Sequence, residues 1–595
     1  MITRNKKIVF IYSLIFLLVS AIFILAVFFP SYGNYEWNIY RSYPLYFWVL
    51  IILCISLSTG ISFYEIYKYP DKYNWLVGFS LLLLINVFLI SLPFARNYAF
   101  ASAWDTASHY GYILDILRKG VPSDFNFYPI AHLSAMSFMF SSSLDLYDIL
   151  LVFPIFYYLI YICNTAFAAW VIDKRPSVRG MILLISLPLI YQAFTTVYRP
   201  VQYAVFFAPY LVGLLFIKYN SLSSWKDNLL LVLILIFLPF LHPWGVIFSF
   251  VLMIAYYLSY RFICKFSISV DYLTTMIFIL FITWFTWFSS FRLFGVTLKT
   301  ILISFAEGLT GEYSINSLTL RAQQVDLPAS KIISLIVFTY GTSIIYVIIA
   351  VLVGAILFLK FVRKKVLSQY ANSMSLTLLI VVFLFLAFLT LFRNLISEGP
   401  FRVINFISAI IPLQAGIVIY EFSDHPKNIK LHKKVLVGVC SAIAITSILS
   451  VFSIFNSGLN GLPNFQASYD ELAGLRFLID KSVKDDRLIT SPFKGMFLLP
   501  SLNGNEELFS FLEQDPRFNI IQPPAHFGYD GVAVDHGFDI GYLFLTAYDY
   551  SFFTDVWPEG SKYTKDDIKS LGLDPYWDLS YSSGDFQLWW HKNGK

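Results

Sequence analysis

The chain has 595 residues, of which 58% are hydrophobic and only 13% charged, a composition that excludes a large soluble enzyme and marks an integral membrane protein. The net charge of +5 is unevenly shared: residues 456–595 carry twenty Asp and Glu against eleven Lys and Arg. The preceding part is therefore strongly basic, with its cations mostly in short loops, which are topology determinants and not a nucleic-acid surface.

Apolar runs long enough to cross a bilayer lie at about 8–29, 45–64, 75–94, 145–172, 180–197, 199–218, 271–291, 330–361, 374–392, 403–421 and 434–455. The first is too long for a signal-peptide core and no small-residue cleavage site follows it, so it is expected to stay as an uncleaved span. A further run, about 228–260, is interrupted by His242-Pro243-Trp244-Gly245 and predicts two helices joined by a tight turn. The total is about thirteen spans. Clusters such as Lys68/Lys72, Lys174/Arg175/Arg179 and Arg363/Lys364/Lys365 place the N-terminus in the cytoplasm and the acidic tail outside. The four cysteines, Cys54, Cys163, Cys264 and Cys440, match no zinc or redox spacing.

Between the third and fourth spans lies Trp104-Asp105-Thr106-Ala107-Ser108-His109-Tyr110, then Tyr128-Pro129-Ile130-Ala131-His132. Ionisable groups at a membrane boundary are costly unless paired or solvated, so they point to a task. Asp105 opens a helix that runs to about Lys119 and is stopped by Gly120. It reads either as an N-cap or as a carboxylate able to take a proton from an acceptor hydroxyl. His109, four residues on, shares its helix face and could orient it or join it on a divalent metal. His132 sits just inside a short helix, about 128–142, opened by Tyr128-Pro129. His242 occupies the other outer turn. Arg199, in Tyr198-Arg199-Pro200, and Arg402, after Glu398-Gly399-Pro400, offer the planar donor forks suited to phosphate. The long loop 293–329 could close over a substrate or merely connect.

The tail, 456–595, is long enough to bury its own core. Tyr469–Lys481 has helical periodicity, Arg487–Pro492 reads as a strand ending in a turn, Phe493–Leu499 as a helix, and Phe586–Trp590 after Ser583-Gly584 as a closing hairpin strand. The expected architecture is an α-helical polytopic membrane domain, 1–455, with an outer catalytic loop 96–143, followed by an extracytoplasmic α/β domain, 456–595.

With Asp105…His109, Tyr128-Pro129…His132, the His242-Pro243 turn and Tyr581…Gly584 in the tail, the chain resembles the GT-C superfamily of multi-span glycosyltransferases. That superfamily includes protein mannosyltransferases and oligosaccharyltransferases. The resemblance implies inverting transfer from a polyprenyl-phosphate-linked sugar to a glycan or protein acceptor at the outer face of the cell membrane. Asp105 inherits the role of base, His109 that of its partner, and Tyr128, His132, Arg199, His242, Glu398 and Arg402 the binding of substrate. No organic cofactor is implied. Two departures stand out: the acidic loop follows the third span instead of the first, and Trp589-Trp590-His591 is not a Trp-Trp-Asp motif. The rival readings are a transporter or flippase of lipid-linked glycans and a non-catalytic membrane protein whose tail binds surface polymer.

Overall fold

Backbone polar groups in hydrocarbon must be satisfied within their own segment, which makes helices of long apolar runs. The structure, a computed structural model, describes residues 6–189, 192–219, 225–258, 270–291, 329–362, 376–385, 399–423, 429–482, 488–490, 500–504, 540–556 and 565–591, with the single positions 261, 295 and 498. Helices α1 (Lys6–Phe28), α2 (Ile39–Ser42), α3 (Leu45–Lys68) and α4 (Leu76–Ala95) lead into the short α5 (Asp105–Lys119) and α6 (Ile130–Ser141). Next come α7 (Leu146–Ile172), α8 (Pro176–Ser186), a 3-10 helix (Gln192–Thr196), α9 (Pro200–Tyr219), α10 (Trp225–Leu241), α11 (Pro243–Leu258) and α12 (Val270–Ser289). The series closes with α13 (Ala329–Val362), α14 (Leu376–Phe385), α15 (Gly399–Ser423) and α16 (Ile429–Ser453).

The chain is thus an α-helical polytopic membrane protein. Among the described residues, eight helices are long and apolar enough to cross a membrane: α1, α3, α4, α7, α9, α12, α13 and α15. Of the others that fall on expected spans, α8, α10, α11 and α14 are shorter, and the apolar stretch counted in α16 is Val437–Ser453. The run 180–197 is the clear correction: it is not one span. Helix α8 stops at Ser186, and a 3-10 helix follows at Gln192–Thr196. Pro188 is the cause, because it brings no N–H of its own and its ring collides with the carbonyl one turn back if the helix continues. The freed carbonyls are satisfied from other helices. Leu187 O accepts from Asn86 Nδ2 and from Tyr158 Oη, both at 2.8 Å, and Ile185 O accepts from Tyr346 Oη. Helix α8 also crosses α15 at close range, since a Cβ on Gly416 would stand 2.8 Å from the Ile182 backbone.

The bundle has two distinct ends. At one, Ser177 N donates to Pro70 O, Arg179 donates to Tyr73 Oη and to Asp173 O, and Arg175 lies over the Tyr420 ring. This end gathers the basic loops after α3 and α7. At the other, Arg96, just past α4, donates to Glu36 through both Nε and a terminal nitrogen, and to Phe29 O at the end of α1. Tyr98 Oη donates to the same carboxylate at 2.6 Å, and Asn464 Nδ2 donates to Tyr98 Oη. Helices α5 and α6 lie at this second end, as does the tail.

The tail forms α17 (Tyr469–Ser482), β1 (Leu488–Thr490), α18 (Pro500–Asn503), β2 (Ile540–Thr546), α19 (Ala547–Ser551), α20 (Lys565–Leu571), β3 (Trp577–Ser582) and β4 (Phe586–His591). The four strands make one mixed sheet in the order β1-β2-β4-β3, with β1 parallel to β2 and the remaining pairs antiparallel. Side chains alternate across a strand. Leu543, Leu545 and Trp589 accordingly meet Leu571 and Trp577 on one face, while Phe544, Phe586 and Leu588 join the main core with Leu472, Leu475 and Leu478 of α17. The expected closing hairpin forms, with Gly584 at φ +70° in its turn. The loop 293–329 and the helix expected at Phe493–Leu499 lie, but for isolated positions, outside the described residues, as does Cys264.

Candidate active site

The site is built on the segment between α4 and α7. Helix α5 is amphipathic and ends as the sequence predicts, on Gly120 in the left-handed region at φ +75°, whose N–H donates to Ile116 O. Its start differs from expectation. Trp104 holds the N-cap position without a side-chain cap bond, and Asp105 is the first helical residue. A carboxylate in the first turn is favoured by the helix dipole. It is also committed elsewhere: Arg199 Nε lies 2.6 Å from Asp105 Oδ2. Arg199 is 12% exposed and Asp105 39%, so the guanidinium is enclosed while the carboxylate keeps one side open. Among the described residues Asp105 Oδ1 makes no hydrogen bond. The Phe194 ring, 4.3 Å from the guanidinium, covers the face of Arg199.

His109 does not pair with Asp105. Its Nδ1 stands 3.0 Å from His132 Nε2, and His132 Nδ1 stands 3.0 Å from Asn126 Oδ1. All three side chains are buried. Burial pushes the His109 imidazole well below its usual range, and His132, Arg199 and His242 push it the same way. Burial alone pushes His132 down to about 3. Both rings are therefore neutral at physiological pH. Since both nitrogens of His132 are already used, it orients His109 and offers no cation to a phosphate.

The Tyr128 ring bridges the cluster, its centroid 5.1 Å from His242, 5.9 Å from His132 and 6.0 Å from His109. Tyr198, beside Arg199, packs its ring 5.8 Å from His109. His242 holds the α10–α11 turn: Trp244 N–H donates to His242 Nδ1 at 3.2 Å, which leaves the proton of the neutral ring on Nε2. Trp287 Nε1 donates to Phe127 O at 2.7 Å and ties the loop before α6 to α12.

Six of the predicted site residues thus come together: Asp105, His109, Tyr128, His132, Arg199 and His242. Arg402 is on the first turn of α15, with its side chain outside the described residues, and Glu398 is outside them altogether. Asn126 was missed by the sequence reading, where only its polar character among apolar neighbours marks it. Among the described residues no group of three or more His, Cys, Asp or Glu side chains is arranged to hold a metal. Asp105 and His109 face different partners.

The segment before α5 is held by the tail. Ala103 N donates to Phe465 O at 2.7 Å, and Phe100 and Ala467 form an antiparallel bridge. The Trp104 ring packs on Phe465, centroids 4.5 Å apart. Helix α18 lies against α5 further along, where a Cβ on Gly504 would collide with Asp115 Oδ1.

No family model matches the sequence, and no curated protein does. Solved structures are similar to it. One is an oligosaccharyltransferase of Archaeoglobus fulgidus, tethered through a disulfide to an acceptor peptide containing an NVT sequon. It is 12% identical, with a TM-score of 0.43, over 87% of this chain and 71% of that one. Another is ArnT from Cupriavidus metallidurans bound to undecaprenyl phosphate, 9% identical with a TM-score of 0.45, over 87% of this chain and 97% of that one.

Proposed function

We propose that the chain is a membrane glycosyltransferase of the GT-C type. It takes a sugar from a polyprenyl-phosphate carrier and passes it to a glycan or protein acceptor at the bundle end that carries the tail. The observation that carries this reading is Asp105. It is a half-exposed carboxylate fixed through Oδ2 to an enclosed arginine, with Oδ1 left for a substrate and a neutral histidine pair alongside.

Inverting transfer needs little more. The acceptor O–H bond breaks and its proton passes to Asp105 Oδ1. The oxygen attacks the anomeric carbon, and the bond from that carbon to the phosphate oxygen breaks with its electron pair leaving on the polyprenyl phosphate. Arg199 keeps the carboxylate aimed, so that reacting groups meet in one geometry. Arg402, at the membrane boundary on α15, is the cation assigned to the departing phosphate. The tail end is assigned to the outside of the cell on the strength of the basic loops gathered at the opposite end.

Asp105→Asn tests the assignment. The amide oxygen can still accept from Arg199, so the melting temperature should move little, while transfer of sugar to acceptor should fall by about 10²–10⁴-fold with the base gone. Asp105→Ala should lose both the activity and part of the stability, because an enclosed guanidinium is left without its partner. An Asn variant with full transfer activity removes Asp105 from the chemistry.

A further inference from the structure

We propose, resting on the glycosyltransferase reading above, that His109 is a neutral hydrogen-bond acceptor for a hydroxyl group of the transferred sugar. The sugar is then an uncharged, hydroxyl-bearing ring where it meets this subsite.

The argument starts at Asn126. Its amide oxygen faces His132 Nδ1 at 3.0 Å, and a carbonyl oxygen can only accept, so the His132 proton is on Nδ1. His132 Nε2 is then a lone pair. It receives a hydrogen bond from His109 Nδ1 at 3.0 Å, which places the His109 proton on Nδ1 in turn. Each link excludes the other tautomer of the next ring. What remains is His109 Nε2, a lone pair with no hydrogen-bond partner among the described residues.

The charge state agrees with this polarity. Burial and the nearby Arg199 keep the imidazole from taking a second proton, so it presents an acceptor and no positive charge. An ionised phosphate or a sugar carboxylate carries only acceptors and is repelled by that lone pair, whereas a hydroxyl donates to it. The surroundings suit a pyranose as well. The rings of Tyr112, Tyr128 and Tyr198 stand 6.3, 6.0 and 5.8 Å from the His109 ring, and Tyr112 and Tyr128 are partly exposed. Such rings offer flat apolar faces to the C–H side of a sugar. The division of labour follows: cations for the phosphate, the histidine pair for the ring.

Asn126 is a positioning residue here, and two substitutions isolate it. Asn126→Leu removes the acceptor that sets the polarity. Asn126→Asp keeps an acceptor oxygen and removes an amide nitrogen that has no partner among the described residues. In nitrogen-15 spectra of histidine-labelled protein, His109 Nε2 should appear unprotonated in the wild type and in Asn126→Asp. It should become a mixture of tautomers in Asn126→Leu. A protonated Nε2 on His109 in the wild type overturns the proposal whatever the activity.

Binding supplies the second measurement, with polyprenyl phosphate and polyprenyl-phosphate hexose as probes. Asn126→Leu should weaken the hexose-bearing lipid by about 2–10-fold, the yield of one neutral hydrogen bond. It should leave the bare lipid unchanged, and Asn126→Asp should restore the difference. Equal weakening of both lipids, or of neither, overturns the subsite while leaving the glycosyltransferase reading intact. Wild-type protein that binds neither lipid overturns that reading and the subsite with it.

Discussion

Two buried imidazoles make the protein sensitive to acid in a direction that can be worked out. The folded-state pKa of His132 is depressed to about 3, and that of His109 is also depressed, both first of all by burial. A depressed histidine leaves stability intact above its unfolded pKa of about 6.5 and removes it as pH falls below that value, because the unfolded chain then binds the proton more tightly. For His132 the loss should reach about 2 kcal/mol by pH 5. Thermal unfolding in detergent between pH 7 and 5 checks it: the wild-type melting temperature should fall, and His132→Gln, which cannot charge, should flatten the curve. A wild-type curve already flat over that range contradicts the burial of the pair. At this scale the sequence exposed much of the site. Asp105, His109 and His132 announce themselves because charge and imidazole are rare in so apolar a chain. Asn126 and the Arg199–Asp105 pair do not, because contacts between a loop and helices far apart in sequence leave no periodic trace. Helical spacing put His109 on the face of Asp105, yet spacing cannot say that a second histidine, 23 positions further on, supplies the nearer partner.

Among the elements, the break after α8 is the most instructive. Hydropathy sees an unbroken apolar run there and predicts a span. Pro188 ends it, and the carbonyls left open are met by side chains of α4, α7 and α13. The same interruption frees the chain to turn through the 3-10 helix and deliver Tyr198 and Arg199 to the site. Asn86→Leu should therefore do more than remove a polar group from α4. Leu187 O loses one of its two donors and Tyr158 Oη loses its contact with Asn86, at a cost of about 1–3 kcal/mol. The expected outcome is a lower melting temperature together with weaker transfer activity, since the segment that aims Arg199 is loosened. An Asn86→Leu protein with unchanged melting behaviour would mean that these carbonyls are satisfied without it. The turn at His242-Pro243 shows the opposite case: the expected break between two helices forms there, although only His242 lies between them and Trp244 and Gly245 already belong to α11.

For the whole molecule, the division into a basic and a tail-bearing end predicts a topology. Reporter fusions at Lys434 and Lys595 should report opposite sides of the membrane, with the first in the cytoplasm; the same side for both would sink the outer placement of the site. The apolar runs made the membrane architecture legible. In the tail the expected helix at Tyr469–Lys481, the strand within Arg487–Pro492 and the closing hairpin all form. The tail's grip on the membrane domain was not legible. Arg96 and Glu36 read singly as boundary charges, but together they form an enclosed pair that also meets Tyr98, and through it Asn464, 366 positions away.

That distance has a consequence in time. A chain is made from its N-terminus, so α1 to α4 and the segment 99–103 are synthesised and inserted long before residues 465–467 exist. Until those residues arrive, the backbone groups that Ala99, Phe100 and Ala103 will give to Phe465 and Ala467 have no protein partner in their final ladder. Residues that follow the last helix of the bundle therefore complete the edge on which α5 begins. A nascent or prematurely ended chain can sit in the membrane with every span in place and still lack a finished entrance to Asp105. Completion of that edge is in this way deferred until every span before it has been made.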